Sequence, residues 1–230
     1  CVITGYKMGT LLDGTYVPEK VNWVCGRFKL GTESNGGYRN IALSNCTFMY
    51  SSGLAFEEVD QGLMENIVVS NITMSHVHHY PIYITTGCRN RGPKERTTVS
   101  TGADIQISNV IADDVDSLAG IIITGMPDHP LRNIALSNIR IKYRGGGTAD
   151  LAKREYREQG TNYPEPRFAG PTPAYGLYAR HVDGLDLNHI TFATERPDLR
   201  PAVMLDDVRN ETIINLKARE IKGVKKVVKK

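Results

Sequence analysis

Apolar and polar residues alternate along this chain in short runs, and the runs recur. In residues 31–48, GTESNGGYRNIALSNCTF, a polar glycine-rich turn leads into an alternating stretch that carries Asn45. The second half of that stretch returns as LMENIVVSNITM (63–74), ADIQISNVIA (103–112), LRNIALSNIRI (131–141) and VDGLDLNHITF (182–192). The shared pattern is Asn or Asp, an apolar residue, a variable one, an apolar one, Ser-Asn, then apolar alternation. Asn45, Asn71, Asn109 and Asn138 hold one slot, and His189 takes it in the last copy. A period of two predicts half-buried strands. Each repeat adds a second short strand, predicted at 10–14, 53–59, 81–87, 119–125, 175–181 and 201–207.

The repeats are too irregularly spaced for a helical array. They suit a solenoid whose coils hold short strands joined by loops of varying length. Parallel strands stacked about 4.8 Å apart would bury the inward residues of each coil against its neighbours. The recurring Asn would then sit at a bend, with its amide bonded to the Asn one coil away. Two segments break the rhythm: a polar insertion at 16–25 and a long excursion at 143–173. The LAKREYREQG part of the excursion predicts one or two helical turns, and its Pro-Gly-rich remainder a loop. Long loops on a rigid solenoid usually build the binding face. Cys1 to Thr4 match Cys46 to Met49, so the first repeat begins in its middle and upstream coils are expected. The predicted organisation is an all-β, partial parallel β-helix over 1–220, followed by a basic tail at 221–230.

Composition alters this picture little. No stretch approaches the length of a membrane-spanning helix. The net charge of +3 comes from the tail, because IKGVKKVVKK carries five Lys and removing it leaves 23 basic against 25 acidic residues. A near-neutral body argues against nucleic acid as a partner, and a solvated end is the expectation for the tail. No C-x-x-C pair suggests zinc. Cys1 and Cys46 share a repeat position, which predicts stacked buried thiols, with a disulfide between coils as the alternative.

GRFKLGTESNGGYRNIALSNCTF, with GLAFEEVD one coil later, resembles glycoside hydrolase family 28, the polygalacturonase-like enzymes, and is most similar to the bacterial exo-acting and rhamnogalacturonan-directed members. GTLLDGTY, RNRGP, GMPDHP, YRGGGT and PAYGLYARHV extend the resemblance to about Asn210. It implies a right-handed parallel β-helix with a groove along one strand face, inverting hydrolysis of galacturonic-acid-containing pectic polysaccharide, no cofactor, no membrane partner, and a secreted or periplasmic location. A non-catalytic polysaccharide-binding β-helix is the alternative. The family's catalytic carboxylates lie on an Asn-Thr-Asp motif and an Asp-Asp pair ahead of Cys1. Asp113-Asp114 and Asp206-Asp207 lie several coils too far along to inherit that role. The Gly-His-Gly slot holds no His. Ala55-Phe56-Glu57 stands where the family has Arg-Ile-Lys, which favours a rhamnogalacturonan-type or otherwise modified sugar there.

The candidate sugar-binding residues are Asp13, Glu33, Asn35, Glu57, Asp60, Arg89, Arg91, His129, Arg180 and His181. Carboxylates and amides bind sugar hydroxyls, and Arg forks suit uronate carboxylates. Solvated turn chemistry is the competing reading for Glu33, Asn35, Glu57 and Asp60, and a turn-forming Asp-Gly for Asp13. A structural turn is the competing reading for His129. SHVHH (75–79) reads as a loop rather than a metal site. Tyr143, Tyr163 and Tyr175 border the excursion, where sugar stacking competes with packing onto the solenoid.

Overall fold

The computed structural model describes residues 1–5, 27–96, 98–117 and 120–230. Asp13, Cys25, the predicted strand at 10–14 and the insertion at 16–25 lie outside the described residues. The described strands are β1 (Val2–Thr4), β2 (Phe28–Leu30), β3 (Tyr38–Met49), β4 (Leu54–Val59), β5 (Leu63–Val77), β6 (Ile82–Gly87), β7 (Thr101–Val115), β8 (Ile121–Thr124), β9 (Leu131–Gly145), β10 (Leu177–Arg196), β11 (Val203–Ile214), β12 (Lys217–Ala218) and β13 (Val227–Lys229). All pair in parallel, in the order β1-β3-β5-β7-β9-β10-β8-β6-β4-β2, with β11 to β13 continuing from β10. The fold is a parallel β-helix. Its long strands, β3, β5, β7, β9 and most of β10, wrap round two or more walls, and β2, β4, β6, β8 and the start of β10 form another.

The long strands bend through residues of positive φ. In β5 the buried positions are Met64, Ile67, Val69, Ile72, Met74 and Val77. The step is two residues along a wall and three across Asn66, Asn71 and His76, whose φ values are 53°, 57° and 53°. One left-handed residue turns the chain and takes up one position, so the apolar side stays inward. The same slip recurs at Asp104, Asn109 and Asp114 in β7 and at Asn133 and Asn138 in β9. Asn and Asp tolerate this conformation better than other side chains. Where β10 reaches the first corner, Gly184 takes it at φ 86°.

The predicted ladder is present. Asn71 donates to Asn45 (3.1 Å), Asn109 to Asn71 (3.1 Å) and Asn138 to Asn109 (2.7 Å). Asn215 and His189 join 3.0 Å apart at the far end. A second ladder, not singled out from sequence, runs along the preceding corner: Asn66 donates to Asn40 (3.2 Å), Asn133 to Asp104 (2.9 Å) and Asn210 to Asp183 (2.6 Å). Both ladders are exposed, so each bond adds little, but the corner conformation adds to it. Asn109→Ala is expected to lower stability by about 2 kcal/mol, from two side-chain hydrogen bonds and left-handed strain. Asn109→Gly keeps the turn and is expected to lose only about half of that. Urea denaturation of the two variants separates the contributions, and equal losses would rule strain out.

Register makes the core. Val69, Ile107, Leu136 and Leu187 stack in one file, and Phe48, Met74, Ala112, Ile141 and Phe192 in another. Cys1 stacks on Cys46 with sulfurs 2.8 Å apart, both as free thiols; Cys46 is buried but Cys1 is exposed, so the expectation of two buried thiols is half right. The tail is not a free end. Val227 pairs with Val203 and packs on the main core, because the two Val of KVVKK continue the strand alternation for one more coil.

The excursion behaves partly as predicted. Thr148 caps α1 (Ala149–Lys153), its hydroxyl accepting from the Leu151 amide at 3.4 Å. Its Pro-rich remainder is not all loop, since Pro166–Ala169 forms one helical turn, α2. Pro166 presets the first turn, and Gly170 at φ 77° ends it. The excursion folds over the outer side of the β4–β6–β8 wall. There Ala55, Tyr83, Ile122, Tyr178 and Met204, one in-register row, form a second core with Tyr80, Tyr156, Ala169 and Ala174.

Candidate functional site

The next outward row on that wall is polar. Glu57, Thr85, Thr124, Arg180 and Asp206 are successive register partners. Three coil steps separate Glu57 from Arg180, about 14 Å along the axis at the usual strand spacing. Thr85 and Thr124 join hydroxyls at 2.9 Å between them. The excursion crosses this row. Tyr156 and Glu158 lie at the Arg180 end, and Tyr163 and Glu165 at the Glu57 end. The segment therefore runs along the axis and borders both clusters.

At the Glu57 end the site is a closely hydrogen-bonded network of paired charges. Alternation along GRFKL puts Arg27 and Lys29 on the same side of β2, and Lys29 is in register with Ala55. Lys29 Nζ lies 2.5 Å from Glu57 Oε2, to which the Thr32 hydroxyl also donates at 3.2 Å. Arg27 forks onto Glu165 at 3.2 and 3.1 Å, donates to the Tyr80 hydroxyl at 2.5 Å, and stands 4.0 Å from Glu57. Glu57 is fully buried, and burial raises its carboxyl above the ordinary range against the pull of Lys29. It cannot touch a sugar from this position. Its role is to hold Lys29, whose ammonium reaches the Tyr163 hydroxyl at 3.3 Å. Lys29 and Arg89, from different coils, stand 5.3 and 4.8 Å from the centroid of the Tyr163 ring. Arg89 also pairs with exposed Glu33.

Asp60 is buried as well. It accepts the backbone amides of Arg89 (2.6 Å), Asn90 (2.8 Å) and Arg91 (3.0 Å). It therefore shapes the loop that presents the two Arg residues rather than meeting ligand itself. Asn35 donates to the Asp60 carbonyl at 2.7 Å and braces the same turn. Arg91 is exposed.

At the other end Arg180 pairs with Glu158 at 2.6 Å and Asp206 at 3.4 Å, and donates to the Tyr156 carbonyl at 3.0 Å. His181 is clamped between Asp207 (2.7 Å) and Glu158 (3.0 Å), and its hydrogen bond holds Asp207 below the usual carboxylate range. These contacts fasten the excursion to the solenoid. His129 is exposed in a turn closed by antiparallel pairing with Met126. Of the three bordering tyrosines, Tyr143 and Tyr175 are buried and Tyr163 is 38% exposed.

Arg27, Lys29 and Glu165 were not among the residues picked out from sequence. Two cations one residue apart in a strand were a readable signal for the first two. Glu165 lies 138 residues from Arg27, and nothing local to either points to the other. Among the described residues no group of three or more His, Cys, Asp and Glu side chains could hold a metal ion. Comparison with family models, with curated proteins and with solved structures finds no match.

Proposed function

We propose that this β-helix forms the sugar-gripping part of an inverting hydrolase of galacturonic-acid-containing pectic polysaccharide, of polygalacturonase or rhamnogalacturonan type. The convergence of Lys29 and Arg89 on Tyr163 carries the reading. The family-like Arg-Ile-Lys cations are missing from β4, and cations return to the same wall from the neighbouring coil and from the Asp60-shaped loop. An acidic sugar needs fixed positive charge beside an aromatic surface and hydroxyl-binding groups. Exposed Glu33 and Arg91 supply further polar contacts. The proposed acid and base are not among the Asp pairs present. Asp114 is forked by Arg144 at 2.5 and 3.1 Å, Asp206 accepts from Tyr178 at 2.9 Å, and Asp207 is held by His181.

Titration calorimetry with an oligogalacturonide tests the reading. Arg89→Gln is expected to weaken binding about tenfold, the worth of one charge-assisted hydrogen bond. Absence of binding heat with the unsubstituted chain would sink the proposal. A reducing-end assay on the same samples is expected to show no product, because the family's acid and base motifs do not occur in these 230 residues. Product formation would place the chemistry within this chain.

A further inference from the structure

The basic tail that the groove leaves unused builds a pocket of its own. A cavity of about 340 Å³ opens where the last coil closes, lined by Tyr175, Asp198, Arg200 and Ala202 on one side and by residues 219–222 and 224–226 on the other. Its charge is one-sided. Asp198 is neutralised by Arg200 at 2.7 Å, and Glu220 is matched by Lys226 at 3.5 Å. Arg219, Lys222 and Lys225 also line the cavity, and among the described residues no carboxylate lies within ion-pair distance of them.

Tyr175 adds a second, independent observation. It is 4% exposed, and its hydroxyl is buried; the Arg219 backbone lies against the oxygen, but the O–H finds no acceptor of ordinary geometry. Burial, with Asp198 adding to it, pushes that hydroxyl up to about 12, so it stays a neutral donor. A buried O–H with nothing to donate to is costly, and an acceptor in the cavity would remove the cost. Ala202, Ile221 and Val224 give the same cavity an apolar lining. The size exceeds what an inorganic ion needs and suits one hexose.

We infer that this pocket is a second subsite, at the C-terminal end of the solenoid, for the carboxylate of a single acidic sugar residue. The choice of a sugar over another small carboxylate rests on the function proposed above; the cationic pocket does not. Arg219 supplies the fork, Lys222 and Lys225 the field, and Tyr175 a neutral hydrogen bond to the same carboxylate.

The test is titration of the 230-residue chain with free galacturonate, with galactose as the neutral match and with inorganic phosphate, followed by NMR. Galacturonate is expected to bind and galactose not to. Tyr175→Phe removes only that oxygen and keeps the ring, so it is expected to fold normally and to weaken galacturonate at least tenfold. Lys222→Gln with Lys225→Gln is expected to do the same, while Arg39→Gln, at an exposed ion pair with Glu65 on β3, leaves this site unchanged. Galacturonate binding indifferent to Tyr175→Phe, or phosphate binding equally well, would overturn the inference in favour of loose attraction to surface Lys. Oligogalacturonide binding that depends on Arg89, with no galacturonate bound at Tyr175, overturns the second subsite and leaves the groove standing. Monosaccharide binding at Tyr175 without Arg89-dependent oligomer binding does the reverse.

Discussion

Arg200→Ala is expected to lower unfolding stability by about 3–5 kcal/mol, the usual loss when one member of a buried ion pair is removed. Neither Arg200 nor Asp198 exposes its side chain to solvent. The guanidinium donates to both Asp198 oxygens at 2.9 and 2.7 Å, to the Thr172 carbonyl at 3.2 Å, and to the Ser117 carbonyl. Asp198 also accepts the Gly147 amide at 2.9 Å and the Arg200 amide at 3.1 Å. Burial opposes ionisation of Asp198, but these hydrogen bonds outweigh it and hold the carboxyl below its ordinary range. The Arg200–Asp198 pair thus ties the loop before β11 to both ends of the excursion and to the turn before β8. Truncating Arg200 strands a buried carboxylate and two carbonyls together. The midpoint of thermal unfolding should fall by roughly 10 °C for a domain of this size. Asp198→Asn combined with Arg200→Met removes both charges and is expected to recover part of the loss. A loss below 1 kcal/mol in the single variant would mean that water reaches the pair.

The repeat and its ladder were legible because they are set by local rules. A left-handed corner every five residues selects Asn or Asp, and a wall between corners selects alternation. Sequence therefore carries Asn45, Asn71, Asn109 and Asn138 on its surface. The corner occupied by Tyr50, His76 and Asp114 obeys the same geometry with no shared residue type, so it leaves no readable signature. The site was legible only as a set of positions. Glu57 and Asp60 stand where the groove was expected, yet both are buried and act through others, Glu57 through Lys29 and Asp60 through three amides. Burial depends on the excursion, which returns from more than 100 residues away to lay Tyr163 and Glu165 over β2 and β4. Contacts at that separation are decided by coil register, and register appears only when the coils are stacked. The tail is alike: Val227 and Val228 read as part of a basic run until Val203 and Met204 lie beside them.

Stability is expected to fall as pH rises from about 4.5 to about 8, and Glu58 is the cause. Alternation in β4 sends Glu57 outward and Glu58 inward, to a fully buried position in register with Thr86. Neither carboxyl oxygen finds a hydrogen-bond partner of ordinary geometry. Burial pushes the carboxyl up to about 8; the nearby Val59 and Ser34 backbone groups pull it down, and Asp60 adds to the rise. The sign follows from proton counting. In the unfolded chain a Glu releases its proton near 4.5, whereas the fold keeps Glu58 protonated to about 8. Between those values the folded state holds the extra proton, so each step up in pH favours unfolding, and the effect levels off above 8. After discounting for screening near the surface, the span is on the order of 3 kcal/mol. Glu58→Gln is a neutral match in shape, so it is expected to equal the parent at pH 4 and exceed it by about that amount at pH 9. Other titrating groups are common to both proteins and cancel in the difference. Urea unfolding of the pair across this range gives the result directly, and parallel curves would show that Glu58 ionises freely in the folded chain.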